Sequence, residues 1–312
     1  MALIDTHRHV IRLGVDCSIP VATRLVSQLS EFPCWKEPTR GWTIEDLDMT
    51  YEDCIKNMDK NGIDKCCVVG VHFYLPDFPE AGWAHHRNEY TAEAQNKYPD
   101  RIMGFASVDP RGGALAVHEI DRAINELGLK GIGEFTTAYA GIALDDPILD
   151  PIYRKCEQLA RERGIPLAIH TGFTYMPWTY FELQDPALLW HVLEKFPELK
   201  IAISHAGWGG TWQQALHLAV MWPNVYLDFT FLRSTYTPFQ IMEFLQQAKW
   251  AGILNRCLWG TDFPWVDAKD ELDMYRKFPA ESKKIGREPF LTDEDIKMFL
   301  GGNAEKYMEI KE

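Results

Sequence analysis

Along this chain, short apolar and β-branched runs alternate with longer stretches whose apolar residues recur at three- and four-residue steps. The short runs are Leu3–Thr6, Lys65–Val71, Ile102–Val108, Gly131–Phe135, Pro166–His170, Lys200–His205, Val225–Asp228 and Arg256–Gly260. Continuous apolar runs of that length predict strands buried on both faces. The intervening stretches, among them Ala114–Leu127, Pro151–Arg163, Pro186–Phe196 and Phe239–Trp250, predict helices with one buried stripe. Strands and helices in alternation predict a parallel sheet covered by helices, and eight such units predict closure into a (β/α)₈ barrel of the TIM type. An open doubly wound sheet is the rival. It calls for a glycine-rich phosphate turn after the first strand, where Thr6-His7-Arg8-His9 stands instead.

Residues 10–47 and 72–83 are too long for plain connections and read as insertions after strands one and two, on the face where barrel enzymes keep their sites. Near the end, Thr292 with Asp295 three positions on predicts a helix cap, and Gly301-Gly302-Asn303 a turn into a last short helix. With 312 residues, 46% hydrophobic and 25% charged, one barrel domain over 1–312 accounts for the chain.

A formal charge of −13 argues against nucleic acid as a partner, which needs clustered Lys and Arg. The opening Met1-Ala2-Leu3-Ile4-Asp5 reads as a strand rather than a secretory leader, and no apolar run reaches the length of a membrane span. Seven cysteines (17, 34, 54, 66, 67, 156 and 257) lack zinc-ribbon spacing and suit reduced thiols of a cytoplasmic protein.

The chemistry collects at the C-terminal ends of the strands. Strand one ends in His7-x-His9, strand two reaches His72, strand four Glu134, strand five His170, strand six His205, strand seven Asp228 and strand eight Asp262. Each has a plainer reading taken singly. A strand-end histidine is often a hydrogen-bonded structural residue, Asp228 could cap a helix, and Glu134 could pair with an arginine. Together on one barrel rim they form a site. Two histidines one residue apart can both turn inward. With His170 from across the barrel and the Asp262 carboxylate they make an N₃O donor set that suits Zn²⁺ and tolerates Mn²⁺, Fe²⁺ or Co²⁺. Arg8, between the two histidines, points away and reads as an ion pair under the rim.

Asp5-Thr6-His7-Arg8-His9, Ile169-His170-Thr171-Gly172, Ser204-His205-Ala206-Gly207, Trp259-Gly260-Thr261-Asp262-Phe263-Pro264 and Gly302-Asn303-Ala304 resemble the amidohydrolase-related family. The nearest branch is that of aminocarboxymuconate semialdehyde decarboxylase and its relatives. The resemblance implies one divalent metal on His7, His9, His170 and Asp262, with His205 beside it in proton transfer. Larger members carry a carboxylated lysine on strand four to bridge two metals. Here Glu134 stands on that strand, which leaves it to bridge a second metal or to handle substrate.

Three outcomes fit. The first is non-oxidative decarboxylation of a small aromatic or unsaturated cyclic acid, with His205 or Asp262 passing the proton. The others are hydrolysis of a lactone, ester, amide or C–C bond by the same constellation, and a non-catalytic ligand-binding barrel. Phe173, Tyr175, Trp178, Trp208, Trp212, Phe231, Phe263 and Trp265 follow strands five to eight, and flat apolar walls suit a cyclic substrate. For its carboxylate Arg233 is the first candidate and Arg40 the second, with His72, Trp178, Trp208 and Phe263 as further contacts. The apolar segment Phe32–Trp42 is expected at the interface of a homodimer.

Overall fold

The computed structural model describes residues 1–31, 42–74, 82–173 and 179–309, with side chains omitted for 28–31. Its strands are β1 (Ile4–Arg8), β2 (Lys65–Val68), β3 (His72–Tyr74), β4 (Trp83–His85), β5 (Ile102–Ala106), β6 (Gly131–Phe135), β7 (Leu167–His170), β8 (Ile201–Ser204), β9 (Val225–Asp228) and β10 (Cys257–Leu258). Its helices are α1 (Ile19–Glu31), α2 (Tyr51–Asn61), α3 (Asn88–Lys97), α4 (Ala114–Asn125), α5 (Asp150–Arg163), α6 (Leu189–Lys195), α7 (Trp212–Met221), α8 (Pro238–Trp250), α9 (Ala268–Tyr275), α10 (Phe278–Ile285), α11 (Asp293–Lys297) and α12 (Asn303–Tyr307).

Eight strands pair in parallel in the order β1-β2-β5-β6-β7-β8-β9-β10. The segment that continues β10 closes the ring on β1. Thr6 N–H donates to Trp259 O at 2.9 Å, Asp262 N–H to His7 O at 2.9 Å, and His9 N–H to Phe263 O at 2.8 Å. The expected TIM barrel is therefore the fold, and each of the eight expected runs supplies one of its strands.

Inside the barrel, Ile4, Cys67, Val69, Phe105, Ala168, Ala202 and Leu258 form an apolar plug, closed from below by Ala304 and Tyr307 of α12. Asn303 anchors that helix by donating from Nδ2 to Leu254 O and Cys257 O, both at 2.8 Å. A second, larger apolar cluster lies between strands and outer helices. The Thr292–Asp295 capping box forms at the start of α11 as expected. Six described cysteines are buried free thiols, and no described helix is long and apolar enough to cross a membrane.

Two strands depart from regular alternation where the site is built. Against β2, Asp5 pairs with Cys66 and Arg8 with Val68, so three steps on β1 match two on its neighbour. Such an irregularity resets which side chains face inward. It leaves Ile4 in the plug, yet turns His7 and His9 toward the axis above it. β6 does the same against β7, pairing Ile132 with Leu167 and Phe135 with Ile169, and Glu134 lies within the irregular stretch.

The insertion after β1 carries α1. The one after β2 is not a plain loop but holds the antiparallel hairpin β3–β4. The two lean on each other through Ser18 N–H to Trp83 O at 2.9 Å and His85 N–H to Asp16 O at 2.8 Å. His72, expected at the end of strand two, instead opens this hairpin and stacks on His85 with ring centroids 3.9 Å apart.

Arg8 is fully buried on the outer face of β1. Its guanidinium lies 4.1 Å from the Phe263 ring centroid and 3.6 Å from Asp5, and donates to Asn57 Oδ1 at 2.5 Å. Burial pushes the Asp5 carboxyl above its ordinary range against the opposing pull of Arg8. Replacing Arg8 with Met leaves that carboxyl without its cation, and the expected loss is about 3–5 kcal/mol in urea unfolding. A loss below about 1 kcal/mol would show that the Thr261 and His7 donors alone satisfy Asp5.

Candidate metal centre

Each inward histidine of β1 is held by its Nδ1. His7 Nδ1 lies 2.8 Å from Asp228 Oδ2 and His9 Nδ1 lies 3.1 Å from Val69 O. A backbone carbonyl can only accept, and the Asp228 carboxylate does so too, so both Nδ1 atoms carry the ring hydrogen. Both Nε2 lone pairs are then left facing one another at 3.2 Å, in a buried site. Asp262 Oδ1, buried without a hydrogen-bond donor among the described residues, sits 3.1 Å from His9 Nε2 and 3.7 Å from His7 Nε2. Electron-rich atoms gathered this way repel unless positive charge lies among them.

The spacing fits a divalent ion. Four donors about 2.0–2.1 Å from one centre stand about 3.3–3.4 Å apart in a tetrahedron. Glu134 Oε2 is a fourth neighbour, 3.6 Å from both His7 and His9 Nε2. The hydrogen-bonded Nδ1 partners, Asp228 and Val69 O, fix tautomer and ring orientation, as partners behind metal-binding histidines do.

The other oxygen of Glu134 faces two further histidines. His170 Nδ1 is 2.8 Å from Oε1 and His205 Nε2 is 3.2 Å from it. The remaining nitrogens of these rings point to backbone carbonyls, His170 Nε2 to Phe173 O at 3.0 Å and His205 Nδ1 to Thr230 O at 3.2 Å. His170 is thus brought to the site but turned toward Glu134 rather than into the His7–His9–Asp262 group. Burial would push Glu134 up, yet His170 and His7 hold its carboxyl well below the carboxylate range. Burial would push His7 down, yet the carboxylates of Glu134 and Asp228 hold it well above the imidazole range.

Backbone conformation serves the same convergence. His205 (φ 54°) and Asp262 (φ 58°) adopt the left-handed region just past their strands, an unfavourable state for residues with a Cβ that recurs at functional sites. Gly260 lets the closing segment approach β1, because a Cβ there would lie 2.7 Å from His7 Cβ and 2.4 Å from Thr230 Oγ1.

Above the cluster opens a partly enclosed cavity. His9, Glu134, His170, His205 and Asp262 line its floor, with Trp208, Tyr139 and Trp265 at the sides. The insertions supply an apolar wall: Cys17 and Val21 beside α1, Val71, Phe73 and Ala84 from the hairpin segment. His86, which the sequence reading passed over, also lines it. Burial, with His9 next, pushes its imidazole down to about 4.

Several expected contacts lie elsewhere. Arg233 does not line this cavity; its Nε is 3.8 Å from the buried Glu271 carboxylate of α9, and it lines a separate groove beside α8, α9 and α10. Phe263 stacks on Arg8, and His72 pairs with His85, so neither lines the cavity. Trp212 packs on Phe244 and Phe229, and Phe231 on Trp208. Phe173 is part-exposed against Trp208 and Phe181. Arg40, Tyr175 and Trp178 lie outside the described residues, as does Phe32–Trp42 except for Trp42, whose ring meets Trp265.

Comparison with known proteins agrees with this fold. Over 139 residues the chain is 30% identical to 2-amino-3-carboxymuconate-6-semialdehyde decarboxylase of Dictyostelium discoideum, covering 40% of this chain and 37% of that relative. An uncharacterized TIM-barrel protein from Bordetella bronchiseptica superposes with a TM-score of 0.72 at 21% identity, over 99% of this chain and 98% of that one. A 5-carboxyvanillate decarboxylase from Novosphingobium aromaticivorans, solved with manganese and 4-hydroxy-3-methoxy-5-nitrobenzoic acid, superposes with a TM-score of 0.66 at 21% identity, over 98% and 96%. These two structures share the fold. With its residues 4–308 matched by the family's model, the chain belongs to the Amidohydrolase family of enzymes.

Proposed function

We propose that this enzyme is a divalent-metal-dependent, non-oxidative decarboxylase of a small aromatic or unsaturated cyclic carboxylic acid. The observation that carries the reading is the set of unshared donor atoms, His7 Nε2, His9 Nε2 and Asp262 Oδ1, the latter two on the floor of a largely apolar cavity and the first buried against them. A bound divalent cation, Zn²⁺ or Mn²⁺, supplies the positive field that stabilises charge left on the substrate as CO₂ departs. The named decarboxylases among the relatives and fold neighbours favour this over hydrolysis. An apolar cavity suits it too, since water would quench a carbanion before directed proton delivery.

His7, His9 and Asp262 would hold the ion; His170, which the sequence motif implies as the fourth ligand, would join them only by turning from Glu134 and Phe173 O. His205 would hold and deliver the proton. Its Nε2 faces the cavity floor, and its Nδ1 is fixed by the Thr230 carbonyl. Trp208, with its ring centroid 5.5 Å from that of His205, would brace the imidazole and offer a flat face to the substrate ring. One observation favours a second arrangement. Glu134 presents Oε2 to the His7–His9 pair and Oε1 to the His170–His205 pair, the geometry of a carboxylate bridging two ions.

Metal analysis separates these arrangements. About one divalent ion per chain is expected, with activity lost on chelation and restored by Zn²⁺ or Mn²⁺. Full activity in metal-free protein would overturn the metal reading, and two tightly held ions would make Glu134 the bridge.

His205→Asn is expected to keep its metal and fold while losing about 10²–10⁴ in kcat, the usual worth of a positioned acid or base. A metal-depleted variant would mark His205 as a ligand instead.

The reaction class is read by incubating the metal-loaded enzyme with hydroxybenzoates and with lactones. Release of CO₂ from an acid is expected. Titratable acid from a lactone with no CO₂ from any carboxylate would assign the hydrolase alternative.

A further inference from the structure

His86 is a polar residue of the cavity wall that neither the donor cluster nor the proton transfer uses. It follows β4 directly, is 5% exposed, and lies with its ring centroid 6.3 Å from that of His9. The Val71 N–H points at His86 Nδ1 over 3.1 Å. A backbone hydrogen cannot rotate away, so a second hydrogen on Nδ1 would collide with it. The Val71 carbonyl, 3.2 Å from the same nitrogen, already receives the backbone N–H of His86 at 3.1 Å. The ring is therefore neutral and carries its hydrogen on Nε2.

That Nε2–H is buried and has no partner among the described residues. Burying a donor without an acceptor is unfavourable, and such a group in a cavity wall is satisfied when a ligand brings the acceptor. Ile11, Cys17, Val21, Val71 and Phe73, which share this wall, offer no oxygen side chain, and the Asp16 carboxylate nearby is held by the Arg12 guanidinium at 2.7 and 2.8 Å. The backbone is shaped to hold the ring there. A Cβ on Gly70 would lie 3.0 Å from both His86 Cβ and Ser107 Cβ, so only glycine leaves the imidazole its present seat without displacement.

We infer that His86 Nε2–H is a specificity-determining donor, binding a second oxygen on the substrate ring while the reacting carboxylate lies at the His7–His9–Asp262 cluster. This rests on the decarboxylase reading, and it narrows the substrate to a cyclic acid carrying a hydroxyl, phenolate or carbonyl oxygen in addition to its carboxylate. On an otherwise apolar wall one donor sets ring orientation, because a ring turned the other way leaves both donor and oxygen unpaired.

The test compares binding rather than turnover. Metal-loaded wild type, His86→Leu and His86→Gln are titrated with benzoate and with 2-, 3- and 4-hydroxybenzoate. Binding is followed by calorimetry, with metal content and Tm as controls. Wild type is expected to bind at least one hydroxybenzoate about 3- to 30-fold more tightly than benzoate. His86→Leu is expected to lose that gain while retaining its metal and its affinity for benzoate, and His86→Gln, which keeps an N–H donor, to recover it. Equal affinity of wild type for all four acids, or an undiminished preference in His86→Leu, overturns the inference. Absence of CO₂ release from every acid would overturn the decarboxylase reading and leave this binding comparison intact.

Discussion

The 3.2 Å approach of His7 Nε2 to His9 Nε2 is the contact to which the rest of the molecule answers. Two imidazoles with their Nδ1 hydrogens already committed cannot share a proton-free gap of that width in a buried site without a cation or an added proton. Everything around them keeps the gap in place. Asp228 holds one ring and Val69 O the other, Asp262 brings a carboxylate, and Glu134 brings a second from across the barrel. An ion would take the place of the proton that the Glu134 and Asp228 carboxylates otherwise favour on His7. The fold thus keeps several like-charged or lone-pair atoms together, at a cost met by the apolar plug beneath and by the closed ring of backbone hydrogen bonds.

Backbone irregularity is the means by which a regular barrel produces that convergence. With strict alternation, Ile4 in the plug would place Thr6 and Arg8 inward and His7 outward. The skipped step between Asp5 and Arg8 reverses this, leaving Arg8 outside to pair with Asp5 and lie over Phe263. A similar skip in β6 lies at Glu134. At the other end of the ring the left-handed Asp262 and the bare Gly260 let β10 turn in without striking His7. Function and local strain share the same few residues, while the outer helices, with capping boxes such as Thr50–Asp53 and Thr292–Asp295, follow ordinary rules.

The eight apolar runs were legible because a strand buried on both faces leaves a period-free apolar signature, and the candidate metal-binding residues because they stand where those runs stop. His7, His9, His205 and Asp262 all come to one place from segments far apart in sequence. What the sequence could not reveal was direction. Arg233 follows β9 by a few residues, as a rim residue should, yet a left-handed turn at Phe231 precedes it and it reaches Glu271 instead. Phe263 adjoins Asp262 but alternation sends its ring outward to Arg8. His72 read as a strand end because β2 and the hairpin segment form one apolar run, whose division at Val69–Val71 comes from pairing with β4 rather than from composition. His86 left no signal at all, since its importance lies in a tautomer fixed by the Val71 amide.

The division of labour that results is spatial. Barrel strands contribute the charged floor, and their positions are locked by neighbours on both sides. The insertions after β1 and β2 contribute the wall, and they lean mainly on each other through Ser18–Trp83 and Asp16–His85. Changes in Val21, Phe73 or Ala84 reshape the cavity without touching the closure of the ring at Thr6, His7 and His9. A chemistry that depends on sub-ångström donor spacing therefore sits on the rigid part of the fold. Selection of the ring that is brought to it sits on the part whose packing can vary. His86 joins the two, since its backbone belongs to the hairpin insertion while Gly70, just past the end of barrel strand β2, leaves no room for a Cβ beside its own. A substrate oxygen bound there would be positioned against the floor by the same strands that position the metal ligands, and orientation of the ring would follow from the barrel as much as from the wall.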